Sequence, residues 1–549
     1  MAGATVASAA TLHLPHIDYL SILPVLIMMG GAVLVVVVSS MTRRALGTSA
    51  STALSVLTGV AALVAALFQW HSVTTHGAKV TIAGAVVLDG FSVLVQVTVA
   101  VAVILSAMVA DGYLKREGVD GPEFHALALL SASGAMVMGS ANDLIVVFLG
   151  LEILSIALYV LTAMNHKRAE SGEAALKYFV LGGFSSAIFV YGIALTYGAT
   201  GSTNLPQIAD YLARNVVADN GVLLAGMALL LVGFGFKVAA VPFHMWSPDV
   251  YQGAPSPVTG FMAAVAKAGA FAAVLRIFVS SLSTVRTDWQ PVVTGLAVLT
   301  LVVGAAIALA QRDVKRMLAY SSINHAGFIL LGLEAADPRG VSASLYYLFA
   351  YTVMVIGTFA VVTVMARDGD NGHDLEDYRD LARRQPLLAL ALAVLLLAQA
   401  GAPFTTGFLA KLQVVSAVVA VHGYVLAAIA MLSAAIAVFF YLRLAVVMYS
   451  PTGSVADPVP AAAGGDGEEG GGGTGAVTEL LTFDRGSDAV PGLAVLTGAP
   501  PLDDVAERRV TVPVLTRAAI VISVAVTVVF GIVPAPLVDF AHRATLLFH

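Results

Sequence analysis

The sequence predicts an all-α membrane protein that crosses the bilayer many times. Of its 549 residues, 58% are hydrophobic and only 11% are charged, whereas a soluble globular domain carries about 25% charged residues. The mean hydropathy is +0.90. The apolar residues recur in runs of about 20, the length that an α-helix needs to span a bilayer. Because so few charges cannot cover a globular surface, we expect the chain to lie in a membrane.

The apolar runs predict about fourteen transmembrane helices. They are separated by charged or Gly/Pro-rich segments, and the tenth run is the least apolar. In chain order the runs lie near residues 17–40, 52–70, 86–110, 124–140, 143–164, 174–199, 222–245, 257–281, 290–310, 317–333, 342–366, 386–418, 424–449 and 512–533. An even number of crossings places both chain termini on the same side of the membrane.

Lysine and arginine residues predict the orientation of these helices, because cytoplasmic loops are enriched in them. The loops after the first, third, fifth, ninth and eleventh runs hold Arg43, Arg44, Lys115, Arg116, Lys167, Arg168, Arg312, Lys315, Arg316, Arg367, Arg379, Arg383 and Arg384. The alternate loops and the C-terminal tail hold only Lys79, Arg214, Arg286, Arg339 and Arg543. We therefore expect the odd-numbered loops in the cytoplasm and both termini on the outer side.

The segment 451–511 interrupts this pattern between the last two predicted helices. It is acidic and contains the Gly-rich stretch GGDGEEGGGGTG. Such a composition cannot bury enough apolar surface to become ordered by itself. We interpret the segment as a flexible, solvated cytoplasmic insertion.

Four ionisable residues lie deep inside apolar runs: Glu152, Lys237, Lys267 and Lys411. One charge at the centre of a lone helix costs about 2.5–3.5 kcal/mol, so four cost roughly 10–14 kcal/mol, comparable with the stability of a whole domain. We therefore expect these residues to face one another or internal water in the bundle interior and to have a functional role. Lys177 lies nearer the end of its run, and it fits snorkelling to the interface about as well as a functional role.

Two runs are interrupted by proline. Pro242 follows five residues after Lys237, and Pro403 lies between Gly401 and Gly407 in the stretch GAPFTTG. Proline removes a backbone hydrogen bond, and a broken helix at membrane depth is tolerated only where it is buried in protein or lines a cavity. Interrupted helices at matching places in two halves are typical of a transport site between inverted repeats.

Two histidines share the apolar interior. His244 lies beside the first break, and His325 lies among Ser321, Ser322 and Asn324. Because the reference pKa of histidine is about 6.5, either side chain could relay a proton at neutral pH, although a lone buried histidine often has only a structural role. The spacing of histidines and carboxylates matches no metal site.

The sequence excludes several chemistries. It has no cysteine, which rules out disulfides, thiolate zinc sites and cysteine-ligated iron–sulfur clusters. It contains no G-x-G-x-x-G motif within a βαβ unit and no Walker-type loop. The net charge of −6 gives no sign of a nucleic-acid partner. We expect a protein that binds no cofactor or metal itself.

Five stretches over roughly residues 85–450 carry a family resemblance. They are SANDLIVVFLGLEILSIALYVL, EAALKYFVLGGFSSAIFVYGIALTYGATG, FKVAAVPFHMWSPDVYQGAPSPVTGFMAAVAKAGAF, QRDVKRMLAYSSINHAGF and GAPFTTGFLAKLQVV. The sequence resembles the antiporter-like membrane subunits of proton-pumping NADH–quinone oxidoreductase, respiratory complex I. Single motifs are shared with subunits L and M and with Mrp-type antiporters. The DVYQGAP turn and the span from ALKYF to YGIALTYGATG favour the subunit N branch.

The resemblance implies fourteen spans with two inverted five-helix repeats, the fourth to eighth and the ninth to thirteenth spans, each with one broken helix. It divides this chain into an N-terminal three-helix region (1–123), a first repeat (124–281), a second repeat (290–450), the acidic insertion (451–511) and the last helix with its tail (512–549). The insertion is not a recognised feature of the family.

By motif, the resemblance also assigns roles to the buried charges. It pairs Glu152 with Lys237, makes Lys267 the central lysine, and makes Lys411 the lysine that leads to the outer side. The accessory members of this hydrophilic axis are Lys177, His244 and His325.

The implied function is proton translocation by a membrane-arm subunit of NADH–quinone oxidoreductase. NADH, FMN, iron–sulfur clusters and quinone would bind to other subunits, whose redox chemistry would drive the protons. Subunits K and M are the expected neighbours, with the long lateral helix of subunit L alongside, in a bacterial plasma membrane. Two alternatives stay open, a subunit of an Mrp-type Na⁺/H⁺ antiporter and a membrane scaffold that moves no protons.

Overall fold

The computed structural model describes residues 17–41, 47–119, 121–215, 220–451 and 511–544, and most of them are helical. The predicted insertion lies outside the described residues except for its end positions, 451 and 511. The described ranges contain both predicted helix breaks and all the candidate site residues.

The helices up to the first break are α1 (Leu23–Met41), α2 (Thr48–His76), α3 (Gly90–Glu117), α4 (Glu123–Ser140), α5 (Leu144–Thr162), α6 (Ala169–Thr200), α7 (Leu205–Arg214) and α8 (Gly221–Val238). After it come α9 (Trp246–Gly253), α10 (Ser256–Arg276), α11 (Arg286–Ala310), α12 (Val314–Ala335), α13 (Pro338–Met365), α14 (Leu381–Arg384), α15 (Pro386–Ala400), α16 (Thr406–Ala420), α17 (Tyr424–Tyr449), α18 (Val514–Ile532) and α19 (Ala535–Arg543). A π-helical turn (Ile277–Ser281) and two 3₁₀ turns (Ser283–Val285 and Leu375–Tyr378) also occur.

Eleven of the described helices, counting α10 and α11 with the short turns that adjoin them, are long and apolar enough to cross a bilayer. The predicted fourth and tenth spans are present as α4 and α12, which carry more polar residues. The predicted twelfth span forms two shorter apolar helices, α15 and α16. The prediction of an all-α, multi-pass membrane protein is therefore confirmed, whereas the fourteen crossings, the inverted repeats and the division into domains remain predictions.

Helices α3, α10 and α13 form the centre of the bundle. In the apolar 18-residue stretch of each of these helices, 89%, 94% and 94% of the residues are buried, whereas the values are 33% in α1 and 28% in α18. Close packing at the centre depends on small side chains. Gly269 of α10 lies so near α4 that an added Cβ would come within 3.0 Å of Ala135. One of the two most buried helices, α10, carries Lys267.

Aspartate side chains fix where several helices begin. Asp143, Asp313 and Asp337 each accept a hydrogen bond from a backbone N–H in the first turn of α5, α12 and α13, respectively. These N–H groups have no partner within the helix, so the caps stabilise the helix starts. The starts of α5 and α12 in turn place Glu152 and His325 near the middle of their helices.

A short antiparallel hairpin was not predicted from the sequence. Strand β1 (Lys79–Thr81) pairs with β2 (Val86–Leu88). The apolar run near 86–110 predicts a helix from its first residue, but α3 begins only after Asp89, whose carboxylate accepts a hydrogen bond from the backbone N–H of Ser92. The residues of β2 are as apolar as those of α3. The hydropathy of the sequence therefore cannot show where the strand ends and the helix begins.

Candidate functional site

The first predicted break separates α8 from α9. Helix α8 ends at Val238, and the chain then passes through Pro242, which follows a cis peptide bond, before α9 begins at Trp246. Trp246 donates a hydrogen bond from Nε1 to the carbonyl oxygen of Phe236, 2.9 Å away. The same carbonyl oxygen also accepts a hydrogen bond from the backbone N–H of Ala239, so two donors bind the last turn of α8.

Lys237 lies in the last turn of α8 and is only 3% exposed. Its Nζ atom donates hydrogen bonds to Ser155 Oγ at 2.7 Å and to Tyr178 Oη at 3.1 Å. The aromatic rings of Tyr159 and Tyr178 lie 5.8 Å and 5.2 Å from Nζ. Because a hydroxyl both donates and accepts, Ser155 and Tyr178 can partner this amine whether or not it carries its extra proton.

Glu152 is half-buried and faces a groove between α5 and α6. Its carboxylate accepts a hydrogen bond from Ser186 Oγ. Glu152 precedes by one helical turn Ser155, which accepts a hydrogen bond from Lys237, but no ion pair within 4.0 Å joins Glu152 to Lys237 among the described residues. A cavity of about 10 Å³, lined by Ser155, Ser186 and Lys237, lies beside the lysine. This volume corresponds to roughly one water molecule.

Lys267 is 2% exposed and donates a hydrogen bond to the backbone carbonyl oxygen of Ser322 in α12. The hydroxyl group of the same serine contacts two phenols, Tyr351 Oη at 2.8 Å and Tyr251 Oη at 3.3 Å. The ring of Tyr351 lies 5.5 Å from Lys267 Nζ. Ser322 is therefore the point at which α9, α10, α12 and α13 meet around the central lysine.

His325 lies one helical turn beyond Ser322. Its Nδ1 is 2.7 Å from Tyr347 Oη, and its Nε2 is 3.1 Å from Tyr441 Oη. The ring of Tyr351 lies 4.9 Å from the imidazole ring. The ring of Tyr351 lies 5.5 Å from Lys267 Nζ as well, and the ring of Phe328, 4.9 Å from Lys411 Nζ, stacks on that of Tyr347 at 6.2 Å. Aromatic rings therefore connect the imidazole to both the central lysine and the lysine of the second break.

Lys411 lies beside the second predicted break. Helix α15 ends at Ala400, Pro403 follows, and α16 begins at Thr406. Lys411 is 6% exposed, and its Nζ donates a hydrogen bond to the carbonyl oxygen of Ala400 at 2.9 Å. The ring of Phe328 lies 4.9 Å from Nζ. The negative end of a helix dipole stabilises a cation, so the end of α15 is a favourable place for this ammonium group.

Lys177 and His244 lie apart from the three buried lysines. Lys177 is 42% exposed and forms ion pairs with Glu173 and Asp249, each at 2.8 Å, in a surface cleft. His244 is half-buried in the first break, with its ring 6.5 Å from that of Tyr320. Neither forms a hydrogen bond or ion pair with the buried lysines in the part of the chain that the structure describes.

A buried ion pair that was not predicted from the sequence joins α3 to α10. Arg276 donates hydrogen bonds from Nη1 and Nη2 to the two carboxylate oxygens of Asp89, at 2.8 Å and 2.9 Å. Arg276 also donates to the carbonyl oxygen of Gly139, and its guanidinium lies 4.8 Å from the ring of Phe91. Both charges lie within predicted spans, which is the signal that could have identified them.

A second buried ion pair lies where the chain leaves α13. Lys315 Nζ is 3.1 Å from Asp370 Oδ2, and neither side chain is exposed. Ser256 donates hydrogen bonds to Asp370 from its backbone N–H and its hydroxyl group, and His373 lies 3.4 Å from the same carboxylate. Burial alone would raise the pKa of Asp370, but Lys315, His373 and Ser256 together hold it well below its usual range. The sequence pattern assigns Lys315 to a loop and does not single out Asp370.

The side chains between the buried charges are mostly hydroxyl groups. Serine and tyrosine hydroxyls from α5, α6, α9, α13 and α17 contact Lys237, Ser322 or His325. Hydroxyl and imidazole groups can accept one proton while donating another, so such a row can carry protons where water bridges its gaps. The pair Tyr347 and Tyr351, one helical turn apart in an apolar run, is the sequence signal that could have identified this row of hydroxyl groups. No group of three or more His, Cys, Asp or Glu side chains suited to a metal ion occurs within the described ranges.

A helical membrane bundle with two broken helices and a row of buried lysines defines an antiporter-like membrane protein. Residues 141–437 match the family described as NADH:quinone oxidoreductase/Mrp antiporter, transmembrane. This range is more than half of the chain and contains Glu152, the three buried lysines and both breaks. The chain therefore belongs to the NADH:quinone oxidoreductase/Mrp antiporter family, within the subunit N branch that the motifs indicate.

Similar proteins support both levels of this assignment. NADH-quinone oxidoreductase subunit N of Trichlorobacter lovleyi is 43% identical over 358 residues, which cover 65% of this chain and 73% of that relative. A chain in the structure of respiratory complex I from Thermus thermophilus with bound aureothin is 29% identical, with a TM-score of 0.70 over 94% of this chain and 98% of that chain. A chain of the Mrp complex from Dietzia sp. is 22% identical, with a TM-score of 0.76 over 96% of each chain, and shows likeness of fold alone. The resemblance to subunit N is confirmed.

Proposed function

We propose that this chain translocates protons as a membrane-arm subunit of an NADH–quinone oxidoreductase. The observation that carries the proposal is the row of buried amines Lys237, Lys267 and Lys411, each held by neutral oxygen acceptors in the bundle. A charge in hydrocarbon is retained at a cost of about 2.5–3.5 kcal/mol, which a purely structural role does not explain. The relatives named subunit N supply the context of a redox-driven complex.

The first step involves Glu152 and Lys237. A nearby carboxylate favours the protonated form of an amine, and burial favours the neutral form. A change in the distance or charge of Glu152 would therefore load or release the proton on Lys237. Moving one charge against 150 mV costs about 3.5 kcal/mol at about 2.3 kcal/mol per 100 mV. That is equivalent to a change of about 2.5 pKa units, which is smaller than the shifts of up to about 3–5 units that burial can produce.

The second step leads from Lys267 to Lys411. Ser322 and Tyr351 lie beside Lys267, and the ring of Tyr351 also lies 4.9 Å from that of His325. We propose that His325 takes the proton released by Lys267 and passes it on, with water filling the remaining gap. Lys411 then releases it towards the outer side. In this scheme Lys177 and His244 are accessory groups near the route by which protons enter.

The energy for this transport would come from other subunits. NADH, FMN, iron–sulfur clusters and quinone would bind there, and this chain would have no redox site of its own. Subunits K and M would flank the chain, and the lateral helix of subunit L would run alongside. The assembly would lie in a bacterial plasma membrane with both termini of this chain outside. The subunit N relatives and the distribution of lysine and arginine support this proposed arrangement.

The test is proton pumping by the assembled complex in sealed vesicles. We expect Lys237→Ala and Glu152→Ala to lower the number of protons moved per electron. Lys177→Ala tests the accessory assignment in the same preparation. If both central variants pumped as many protons per electron as the unaltered complex, the proposal would fail.

The Mrp-type alternative is a Na⁺/H⁺ exchange activity on the same scaffold, and the description of the matching family names both NADH:quinone oxidoreductase and Mrp antiporter. Vesicles containing the complex distinguish the two. Redox-driven pumping that proceeds equally in Na⁺-free and Na⁺-containing buffer supports proton transport alone, whereas Na⁺ movement coupled to protons supports the alternative.

A further inference from the structure

An apolar groove lies on the surface of the bundle between α15 and α18. Its volume is about 580 Å³, within the range of roughly 300–1,000 Å³ that is typical of small-molecule sites. Its walls are aliphatic and include Leu390 and Val394 of α15 and Val521 and Val524 of α18. None of the buried lysines lines it. The groove is therefore a feature separate from the proton axis.

One end of this groove is polar. Gln385, Val512 and Arg517 line the end at which α15 and α18 both begin. Arg517 is exposed, and its Nη2 donates a hydrogen bond to the carbonyl oxygen of Val512 at 3.4 Å. No acidic side chain of the described residues forms an ion pair with Arg517. The exposed residues Arg383 and Arg384 directly precede Gln385, and Arg383 forms an ion pair with Asp380 at 3.8 Å. Arg517 therefore brings to this end of the groove a positive charge that no acidic side chain of the described residues neutralises.

The dimensions of the groove match one leaflet of a bilayer. From Arg517 to Ala525 the helix rises about 12 Å at 1.5 Å per residue. Half of the hydrocarbon core of a bilayer is about 15 Å thick. The arginine then lies at the level of the headgroups, and the aliphatic walls lie at the level of the acyl chains.

We propose that this groove is a binding site for an anionic phospholipid. The guanidinium of Arg517 binds the phosphate group, and an acyl chain lies along Leu390, Val521 and Val524. Arginine binds phosphate through paired hydrogen bonds, and basic pockets between transmembrane helices bind anionic lipid headgroups. A phospholipid supplies both the negative charge and the hydrocarbon that the two ends of the groove require. This lipid site is separate from the residues of the proposed proton transport, and its occupancy can be measured directly as bound lipid.

The test compares lipid retention by the purified, assembled complex in nanodiscs of phosphatidylglycerol and of phosphatidylcholine, read by native mass spectrometry. The variant is Arg517→Gln, and its matched control is Arg339→Gln, which alters an exposed arginine at the start of α13. We expect retained phosphatidylglycerol to fall about fivefold in R517Q, the effect of one cation on an anionic lipid. R339Q should retain as much as the unaltered complex.

A second variant tests the acyl part of the site. Ala391 lines the groove, so Ala391→Phe should displace the chain and lower the retention of both lipids. A site for free phosphate alone would not respond to this change. Equal retention in R517Q and R339Q would overturn the proposal. A photoreactive residue in place of Leu390 should label lipid, and labelling of a polypeptide would show that protein occupies the groove instead.

Discussion

Lys411 donates a hydrogen bond across the second break to the carbonyl oxygen of Ala400, the last residue of α15, at 2.9 Å. That carbonyl has no helical partner, because α15 ends there. The lysine thus satisfies a backbone group that the break exposes, and the break supplies a partial negative charge to the lysine. The position of this amine depends on the backbone of the break as well as on its own helix.

Gly401 is the residue on which this arrangement depends most directly. Its φ is +98°, and an added Cβ would come within 3.2 Å of Lys411 Cδ. Gly401→Ala should therefore strain the backbone by about 1–3 kcal/mol and displace the lysine. We expect a lower thermal stability and fewer protons pumped per electron. The matched control is Gly198→Ala in α6, where an added Cβ meets no atom within 4 Å. If both alanine variants behaved alike, the position of Lys411 would not depend on Gly401.

Tyr351 is predicted to assist the central lysine through its hydroxyl group. Tyr351→Phe keeps the ring beside Lys267 but removes the hydrogen bond to Ser322 Oγ. We expect slower redox-driven pumping at nearly unchanged stability, since a single neutral hydrogen bond contributes about 0.5–1.5 kcal/mol. The initial rate of proton uptake into vesicles measures the effect. The control is Tyr346→Phe, whose buried hydroxyl has no hydrogen-bond partner among the described residues. Equal rates in the two variants would remove Tyr351 from the proposed row.

We predict that Asp370 stabilises the fold and takes no direct part in proton transport. Asp370→Asn leaves Lys315 buried without its counter-charge, and breaking one partner of a buried pair costs about 3–5 kcal/mol. Thermal unfolding of the purified complex should show a clear decrease in midpoint. The neighbouring exposed Asp368→Asn serves as the control and should change the stability by less than about 0.5 kcal/mol. A D370N complex as stable as the control would contradict this role.

The low pKa of Asp370 also predicts a pH dependence. A carboxyl group whose pKa is lower in the folded than in the unfolded state stabilises the fold fully above its unfolded value of about 3.9, and this stabilisation disappears as the pH falls further. The stability difference between the unaltered complex and D370N should therefore stay constant from pH 5 to pH 8 and shrink below about pH 4. Unfolding midpoints measured across this range test the prediction, and a difference that changed between pH 5 and pH 8 would contradict it.

The pair Asp89–Arg276 allows a double-mutant test. Asp89→Asn or Arg276→Gln alone leaves one buried charge unpaired and should cost about 3–5 kcal/mol. The double variant removes both charges and should cost clearly less than the two single changes together. The control is Arg214→Gln, which alters an ion pair with side chains 76% and 55% exposed, where the expected loss is below about 1 kcal/mol. Simple additivity of unfolding midpoints would argue that the two residues do not act as a pair.

The buried charges and the helix breaks could be predicted from the sequence alone. The cost of a charge in hydrocarbon identifies Glu152, Lys237, Lys267 and Lys411 at once, because each lies deep in an apolar run. Proline likewise marks both breaks, since it cannot continue the backbone hydrogen bonds of a helix. These signals are local and can be read one residue at a time.

The partners of these residues depend on packing and were not predicted. Ser155 and Tyr178 come from α5 and α6 but meet Lys237 of α8 only in the folded bundle. Lys315 and Asp370 are 55 residues apart in the sequence. The lysine lies in a predicted loop, so the hydropathy pattern places it at the cytoplasmic surface. Hydropathy reports the cost of burying a group and carries no information about which neighbour compensates for it.

The most direct measurement of proton transfer through the buried amines is the ratio of protons pumped to electrons transferred by an assembled complex that carries Lys267→Met. Methionine has a similar length and no charge, so it fills the same space without the amine. We predict a ratio below that of the unaltered complex, with electron transfer retained when the membrane is made leaky to protons. An unchanged ratio in a correctly assembled K267M complex would contradict proton transfer through this lysine.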